Sequence, residues 1–470
     1  MSQQQAGSVT QTFAQALAAL RTGAPHQALA IAYSGGLDSS VLLRLAHGYA
    51  REQGVPLFAF HVHHGLSPNA DAWLAHCEQE CAALGVTFDA RRVTLQKGKS
   101  GTEAAARKLR YAALGDMCEA HGAQLMLTAH HLDDQAETVL LQLLRGSGTA
   151  GLSGMDAANA APDLLGNPEL VMARPLLPVS RGELEAYAAA NGITYIEDES
   201  NSDARYARNA LRHKVMPALA AAFPGFQERF ARSAAHAQSA QRLLEEMAAA
   251  DLVDCLDGDC IDVARLRAMS RDRAQNMLRY WFGTRRLPMP STAWLGEMVT
   301  QLVEARPDAQ LLVTHPDCHI RRHRDRLYIT PKLADLAGMR DPDDEGVIVK
   351  EGEQFLWRGE TELAFPAYGG VLFFEQAEQG IDPAWLRAQT LTIDFRKGGE
   401  RLKLAANRPT RSLKYHYQAM DVPAWERPRL PTVSAGRDLL FAAGIGMDCQ
   451  HLLEGRGGLI RLRWQPDPAG

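Results

Sequence analysis

The sequence predicts an α/β protein with a doubly wound parallel sheet and helices on both faces, followed by a mostly helical domain and a small α+β C-terminal domain. Three observations predict it. Short apolar runs alternate with amphipathic stretches through the first part of the chain, the pattern of βαβ units. A polar, glycine-bearing turn joins the first of those runs to its helix. The composition then shifts, to Ala-rich helix near Lys214 and to short strands with turns from about Val347.

Ala28–Tyr33 is a compact apolar run that suits a buried strand, and Asp38–Ala50 continues as an amphipathic helix. Between them lie Ser34, Gly35, Gly36, Leu37, Asp38, Ser39 and Ser40. A strand, a turn and a helix start make an anion site, because the first N–H groups of a helix lack partners and its dipole favours negative charge. Gly35 and Gly36 let backbone approach a phosphate, and Ser34, Ser39 and Ser40 offer hydroxyl donors. The turn is not a Walker A loop: before Gly98, Lys99 and Ser100 the place of the first glycine is held by Val93.

Leu57–His63, Val86–Val93 and Gln124–Ala129 are the next expected strands, and Asn69–Leu84, Thr102–Ala120, Asp134–Leu144 and Glu183–Ala190 the helices. Ser100 with Glu103, and Ser180 with Glu183, have the spacing of capping boxes. In such a sheet, ligands sit beyond the carboxyl ends of the strands. Ser34, His63 and His130 all fall at such ends, so three motifs should meet in one crevice. Lys214 to Leu256 reads as one long helix, and a mostly helical region ends in the strand-like Cys318–Thr330. Residues 333–346 read as a linker. The expected domains are therefore 1–215, 216–332 and 347–470.

A content of 46% hydrophobic and 22% charged residues excludes a disordered chain. No apolar run approaches the roughly 20 residues of a membrane span. The N-terminus lacks the charged start and apolar core of a secretory signal, so a cytoplasmic location is expected. Seven cysteines without a CxxC pair argue against a zinc site or disulfide framework and for core positions. A net charge of −5 does not mark the whole chain as a nucleic-acid binder, which leaves local basic faces to decide.

His61, His63 and His64 close the second strand, while His130, His131, Asp133, Asp134 and Glu137 bridge the fourth strand and its helix. Asp134 can be a helix N-cap with Glu137 three residues on, a local device without chemistry. Alternatively the two carboxylates, one turn apart, face the crevice and hold a cationic group. A double His and double Asp across from a phosphate turn favours the second reading. A third reading makes the same residues a two-metal phosphoesterase site, which would not need the glycine turn. Farther on, Arg396, Lys397, Arg401, Lys403, Arg408, Arg411 and Lys414 stand against one acid, Glu400, with Tyr415, His416 and Tyr417 following. Arg321, Arg322, Arg324 and Arg326 form a second basic cluster, and Arg285 with Arg286 a third.

The turn SGGLDS resembles the pyrophosphate loop of N-type ATP pyrophosphatases, which split ATP between the α- and β-phosphates and pass AMP to a carbonyl oxygen. HVHHGL, EAAARKLRY, TAHHLDDQAETVLLQLLRGSGTAGLSGM and RPLLPVSRGELEAY…EDESNSDARYARNALRHKVMPAL resemble, in order, successive motifs of the tRNA(Ile)-lysidine synthetases. RKGGERLKLAANRPTRSLKYHYQAMDVPAWERPRLPTV resembles the last domain of the longer members. His63 stands where many relatives carry asparagine.

The resemblance implies a Rossmann-like, adenine nucleotide alpha hydrolase-like first domain, with the later two domains gripping tRNA. It implies ligation of L-lysine to C2 of the first anticodon cytidine of tRNA(Ile) with anticodon CAU. The cytidine is adenylated first, and ATP ends as AMP and diphosphate. Within that reading Ser34, Gly35, Gly36, Leu37, Asp38 and Ser39 bind ATP, and Asp38 can also act through Mg²⁺. Asp134 and Glu137 recognise lysine, and His130 and His131 neutralise charge or move protons. Arg107 and Arg110 stabilise phosphate charge. Arg205, Arg208 and Asn209 belong to a later motif that approaches the site, with Arg174 also considered. Arg396, Lys397, Arg401, Lys403, Arg411 and Lys414 contact tRNA. No obligate protein partner is implied, and a homodimer is compatible. The rivals are another adenylating enzyme of the same fold (a tRNA thiolase or an amide-forming synthetase), the metal phosphoesterase, and a non-catalytic RNA-binding protein. The missing cysteine pair disfavours the thiolase, and the lack of a glutamine-hydrolysing domain disfavours ammonia-fed synthetases.

Overall fold

The computed structural model describes residues 2–21, 28–65, 67–94, 102–197, 207–304, 311–332 and 352–467. Ser100 of the expected first capping box, Arg205 and the 333–346 segment lie outside them. The chain forms two compact units, residues 1–246 and 247–470.

In the first unit, α1 (Ser2–Leu20) precedes β1 (Leu29–Ala32), α2 (Leu37–Gln53), β2 (Leu57–His63), α3 (Ala70–Leu84), β3 (Thr87–Arg92), α4 (Thr102–Ala120), β4 (Leu125–Leu127) and α5 (Leu132–Leu144). Then come the single-turn α6 (Thr149–Leu152), β5 (Ala158–Ala160), the single-turn α7 (Pro162–Leu165), β6 (Val171–Ala173) and α8 (Arg181–Ala190). The strands order as β3-β2-β1-β4-β6-β5. All pairings are parallel except that of β5 with β6.

The period-2 alternation of a strand divides the core in two. Leu29, Ile31, Leu125 and Leu127 join one cluster, together with residues of α1, α2, α3 and α8. Ala30, Phe60, Met126 and Met172 join another, with Tyr111, Leu114, Met117 and Cys118 of α4. Each side chain of Leu or Ile so buried stabilises the fold by about 1.5–3 kcal/mol. The two layers leave the carboxyl ends of β1, β2 and β4 at one edge. In α4, a Cβ on Gly115 would lie 1.9 Å from the Leu165 carbonyl oxygen, so only glycine allows α4 and α7 this close.

Several elements differ from expectation, and β5, β6 and the single-turn α6 and α7 have no counterpart among the expected strands and helices. Helix α1 was not anticipated, although Val9, Phe13 and Leu17 are buried at four-residue spacing. After the short α9 (Ala207–Ala210), the single long helix expected from Lys214 to Leu256 is instead the end of a π-helical turn at Leu211–Val215, then α10 (Met216–Ala222) and α11 (Phe226–Cys255). Pro224 lacks an amide hydrogen and Gly225 sits at φ +73°, which together break the helix.

The second unit takes in the last turns of α11 and continues with β7 (Leu256–Asp257), β8 (Cys260–Asp262), α12 (Val263–Ala268), α13 (Arg271–Thr284), α14 (Thr292–Glu304), β9 (Leu311–Thr314), β10 (Cys318–His323) and β11 (Arg326–Pro331). The expected helices are present, and the strands make a sheet ordered β7-β8-β11-β10-β9, of which β7 to β9 were not foreseen. Trp281, Phe282 and Leu278 pack there on Ile261, Ile320 and Leu327.

Next come β12 (Glu353–Phe355), β13 (Glu362–Phe365), β14 (Gly370–Gly380), α15 (Pro383–Arg387), β15 (Leu391–Phe395), β16 (Arg401–Leu402), β17 (Arg411–Ser412), α16 (Leu413–Ala419), β18 (Pro431–Ala435), β19 (Asp438–Ala442), β20 (Gly446–Met447) and β21 (Leu453–Pro466). They form the sheets β12-β15-β18-β19-β20, β13-β14-β21 and β16-β17. Six of the seven cysteines are buried, as expected of core residues. No helix among the described residues is long and apolar enough to cross a membrane.

Candidate active site

The turn between β1 and α2 is held by its own hydroxyls. Ser39 Oγ accepts from the Ser34 backbone N–H (3.3 Å), donates to the Gly36 carbonyl (3.0 Å) and lies 3.1 Å from Ser34 Oγ. Ser40 Oγ donates to the Gly35 carbonyl (3.2 Å). Ser39 and Ser40 are therefore committed to shaping the loop, and Ser34 is the exposed one of the three. Gly35 has φ +84°, and a Cβ there would meet Ile196 Cδ1 at 2.7 Å and Cys77 Sγ at 2.9 Å. Only glycine fits. The first N–H groups of α2 have no partner within the helix, so the loop remains an anion cradle.

At the start of α5, capping and charge recognition use one side chain. Asp134 is the third helical residue, not the N-cap, which is His131. Its Oδ2 accepts from the His131 backbone N–H (3.1 Å), while its Oδ1 accepts from Arg208 (3.0 Å) and Arg212 (3.1 Å). Glu137, 2% exposed, takes Arg208 Nε on Oε2 (2.8 Å), Arg212 Nε on Oε1 (2.6 Å) and Arg212 Nη2 on Oε2 (3.0 Å). Burial alone would raise the Asp134 pKa, but His131, Arg208, His130 and Arg212 outweigh it and hold the carboxyl below its usual range. Both carboxylates do face a cation, and the cations present are arginines.

The two histidines before α5 are shifted in opposite directions. The His131 ring is 1% exposed. Its Nε2 lies 3.4 Å from Asp134 Oδ2 and 3.7 Å from Asp38 Oδ2, and its Nδ1 lies 3.7 Å from Asp133 Oδ2. Burial opposes its protonation, yet the three carboxylates prevail and its pKa is raised. His130 is pushed down to about 4 by burial, reinforced by Arg174, Arg208 and Arg107 and opposed by Asp134. Its Nδ1 is 2.9 Å from Thr128 Oγ1. At neutral pH, His130 is uncharged beside a neighbour that favours its charged form.

Asp38 ties the phosphate turn to this cluster, with Oδ2 also 3.4 Å from Arg181 Nη1. Among the described residues its Oδ1 is buried with no hydrogen-bond partner. An unpartnered buried carboxylate oxygen at a helix N-terminus beside an anion cradle fits a hard divalent cation such as Mg²⁺. Asp133 receives the Arg181 backbone N–H (2.8 Å), so α5 and α8 are joined at their N-termini. The Ser180–Glu183 capping box opens α8 as expected, with Glu183 Oε2 accepting from the Ser180 N–H at 2.8 Å.

The remaining predicted residues divide. His61 Nδ1 sits 3.0 Å from the Tyr33 carbonyl, and burial lowers its pKa. His63 Nε2 is 3.3 Å from Asp71 Oδ1. Arg107 and Arg110 lie over the Tyr111 ring, at 4.8 and 5.3 Å from its centroid. Arg174 donates to the Asp156 carbonyl (2.8 Å) and Asn159 Oδ1 (2.7 Å), which makes it an anchor for β5. Asn209 follows Arg208 in α9. Sequence reasoning missed Arg212 and Arg181. The four-residue step from Arg208 to Arg212 is the signal that would have found the first, since it places both on one helical face.

The basic runs of the second unit also divide. Arg396 is 7% exposed, so it does not offer a surface charge to RNA. Lys397 Nζ is 2.6 Å from Asp394 Oδ2. Arg401, Arg408, Arg411, Lys414 and Tyr415 are exposed, and Arg411 lies over the Tyr415 ring at 5.1 Å. Lys403 is half-buried. In the Arg321–Arg326 cluster, Arg322 is buried and donates to the Leu302 and Arg324 carbonyls. Arg324 pairs with Asp421, Arg326 with Asp257, and Arg285 with Asp259. Of this cluster only Arg322 is withdrawn from the surface, while Arg324, Arg326 and Arg285 stay exposed with an acidic partner each.

Comparison with known proteins gives the cluster a setting. Residues 8–219 match a PP-loop domain, 261–328 a TilS substrate binding domain and 391–464 a TilS substrate C-terminal domain. The chain is 42% identical over 477 residues to the tRNA(Ile)-lysidine synthase of Burkholderia pseudomallei, covering 96% of this chain and 95% of the relative. The chain belongs to the tRNA(Ile)-lysidine synthase family. The family relative from Ralstonia nicotianae is 42% identical over 443 residues, covering 93% and 92%. That from Pseudomonas aeruginosa is 40% identical over 451 residues, covering 93% of each chain. The PP-loop match of the family spans β1 through α8 and reaches α10, so every residue of the carboxylate–arginine–histidine cluster lies within it.

Proposed function

We propose that this chain ligates L-lysine to C2 of the cytidine at the first anticodon position of tRNA(Ile) with anticodon CAU, forming lysidine at the expense of ATP. The cytidine O2 attacks the α-phosphorus of ATP, and diphosphate leaves. The lysine ε-amine then attacks C2, and the oxygen departs with AMP. Adenylation is needed because the carbonyl oxygen alone is a poor leaving group. The convergence of Asp38, His131, Asp134 and Glu137 at one sheet edge is the observation that carries this reading.

The roles of the residues are part of the proposal. Ser34 to Ser39 bind the triphosphate through the open backbone of the turn. Asp38 would hold Mg²⁺, which supplies positive charge beside the phosphates. His131 presents its proton toward the same region, Arg107 adds charge, and neutral His130 accepts a hydrogen bond or a proton. Asp134 and Glu137 receive the lysine ammonium by exchange with Arg208 or Arg212, one cation replacing another on the same oxygens. The amine must lose a proton before it attacks.

The domains proposed are 1–215 for catalysis, 216–332 for substrate binding and 347–470 for tRNA, with Arg401, Lys403, Arg411 and Lys414 contacting phosphates. The enzyme works in the cytoplasm without an obligate protein partner. The test incubates the protein with ATP, Mg²⁺, lysine and a tRNA transcript bearing a CAU anticodon, followed by mass analysis. AMP, diphosphate and a lysine adduct on the first anticodon base are expected. ADP, free phosphate or a sulfur-sized mass gain would overturn the assignment.

A further inference from the structure

Within the second unit, the β10–β11 hairpin meets the segment that follows α16. The Trp425 ring is enclosed by Arg321, whose Cζ lies 5.2 Å from its centroid, and by His323 and Tyr328 at 5.8 and 5.6 Å. The two aromatic contacts are edge-on, at 85° and 68°. Beside them, Asp421 Oδ1 accepts from Arg324 Nε (2.7 Å) and His323 Nε2 (2.9 Å). Arg324 and Asp421 have φ +52° and +61°. Side chains other than glycine rarely adopt that region, and such residues persist where their surroundings over-determine them. Here two of them face each other across one ion pair. The contact joins the segment matched as a substrate binding domain to that matched as a C-terminal domain.

We propose that Trp425, clamped by Arg321, His323 and Tyr328, is a positioning residue that fixes the spacing of the two tRNA-gripping modules. This rests on the function proposed above. Two linked binding surfaces reinforce each other only when their separation lets both engage one ligand. A cation–π contact, two edge-on rings and an ion pair restrict that separation from several directions. The clamp therefore sets tRNA affinity and leaves the chemistry at the PP-loop untouched.

The full chain is assayed for lysidine formation over a range of tRNA concentrations, with Trp425→Ala, Trp425→Phe and Arg324→Ala compared. Loss of the fixed spacing should raise KM for tRNA about tenfold in Trp425→Ala, with kcat within about twofold. Trp425→Phe, which keeps an aromatic face for Arg321, should restore most of the affinity. Independently of activity, spin labels at Glu297→Cys and Glu378→Cys should give a broader distance distribution with Trp425→Ala than with Trp425→Phe. An unchanged distribution, or a fall in kcat with KM unmoved, would overturn the proposal. Failure of the wild type to form lysidine would refute the functional reading instead, while the label distances would still report on the clamp. Arg324→Ala, at an exposed turn, supplies the same comparison if Trp425→Ala does not fold.

Discussion

Arg212 grips Glu137 at two points, with Nε 2.6 Å from Oε1 and Nη2 3.0 Å from Oε2, on a carboxylate that solvent scarcely reaches. Planar guanidinium matches carboxylate in this way, and the pair is strong because both groups are charged. Glu137 keeps Arg208 as a second partner, so the carboxylate is never left with a single cation.

Glu137→Ala should weaken the use of lysine far more than the use of ATP. Losing one or two charge-assisted hydrogen bonds corresponds to a fall of about 10–100-fold in kcat/KM for lysine. Steady-state kinetics with each substrate varied checks this. An equal loss of diphosphate release and of lysine transfer would remove Glu137 from lysine recognition.

Arg212→Ala leaves one guanidinium to neutralise two largely buried carboxylates. Removing one member of a buried ion pair destabilises by a few kcal/mol; with Arg208 retained, about 2 kcal/mol is expected. That corresponds to a fall of roughly 4–8 °C in Tm for the first unit. Calorimetry should show it, and an unchanged transition would mean that Arg208 alone satisfies both acids.

The phosphate turn should fail for different reasons at two positions. Gly35→Ala places a Cβ against Ile196 and Cys77 at a backbone angle that disfavours it, so the loop shifts and ATP binding falls. Asp38→Ala keeps the backbone but removes the buried oxygen, abolishing adenylation with little change in fold. Diphosphate release and circular dichroism separate the two. An active Asp38→Ala enzyme would dismiss that residue from the chemistry.

Acid should destabilise the first unit through His130. The unfolded imidazole takes up its proton near pH 6.5, while the folded one resists until about pH 4. The unfolded state binds more protons in that window, so the stability contributed by His130 is complete above pH 6.5 and is lost as pH falls toward 4. The loss is on the order of 3 kcal/mol, and His130→Gln should flatten it in thermal scans between those pH values. His131 works in the opposite sense. Its raised pKa makes its contribution complete below pH 6.5 and lost as pH climbs through the folded value.

Arg411 and Lys414 are exposed where Arg396 is buried, so their charge reversal should separate from its loss. Changing both to Glu should weaken tRNA binding and reduce the salt slope by about one unit per lost phosphate contact. Arg396→Ala should instead lower thermal stability. Filter binding across salt concentrations distinguishes them, and an unaltered slope in the double variant would clear that face of RNA contact.

Much of the first unit was legible because its signals are local. Leu29, Ala30 and Ile31 form an apolar run that cannot satisfy its backbone except in a buried sheet, and the step from Tyr33 to Asp38 marks a strand end and helix start within a few residues. Helix α1 escaped notice although its period was present, because an Ala- and Gln-rich stretch carries few large side chains to announce a face. Strands β7 and β8 are two and three residues long, too short to hold a period. The fate of Arg321 to Arg326 was not legible at all: a run of positive charge reads alike whether solvent, RNA or Asp421 and Asp257 neutralise it.

By itself the sequence determined the alternation of β1 to β4 with α2 to α5, the glycine that the phosphate turn requires, and the carboxylates placed one helical turn apart. These follow from backbone sterics and side-chain periodicity, which act over a few residues. Only the tertiary structure decided that Arg208 and Arg212 close on Asp134 and Glu137, that adjacent His130 and His131 take opposite protonation preferences, and that Arg396 lies inside while Arg411 lies out. Charge and burial act through space between segments that meet only when the chain folds, and no spacing along the chain encodes those distances.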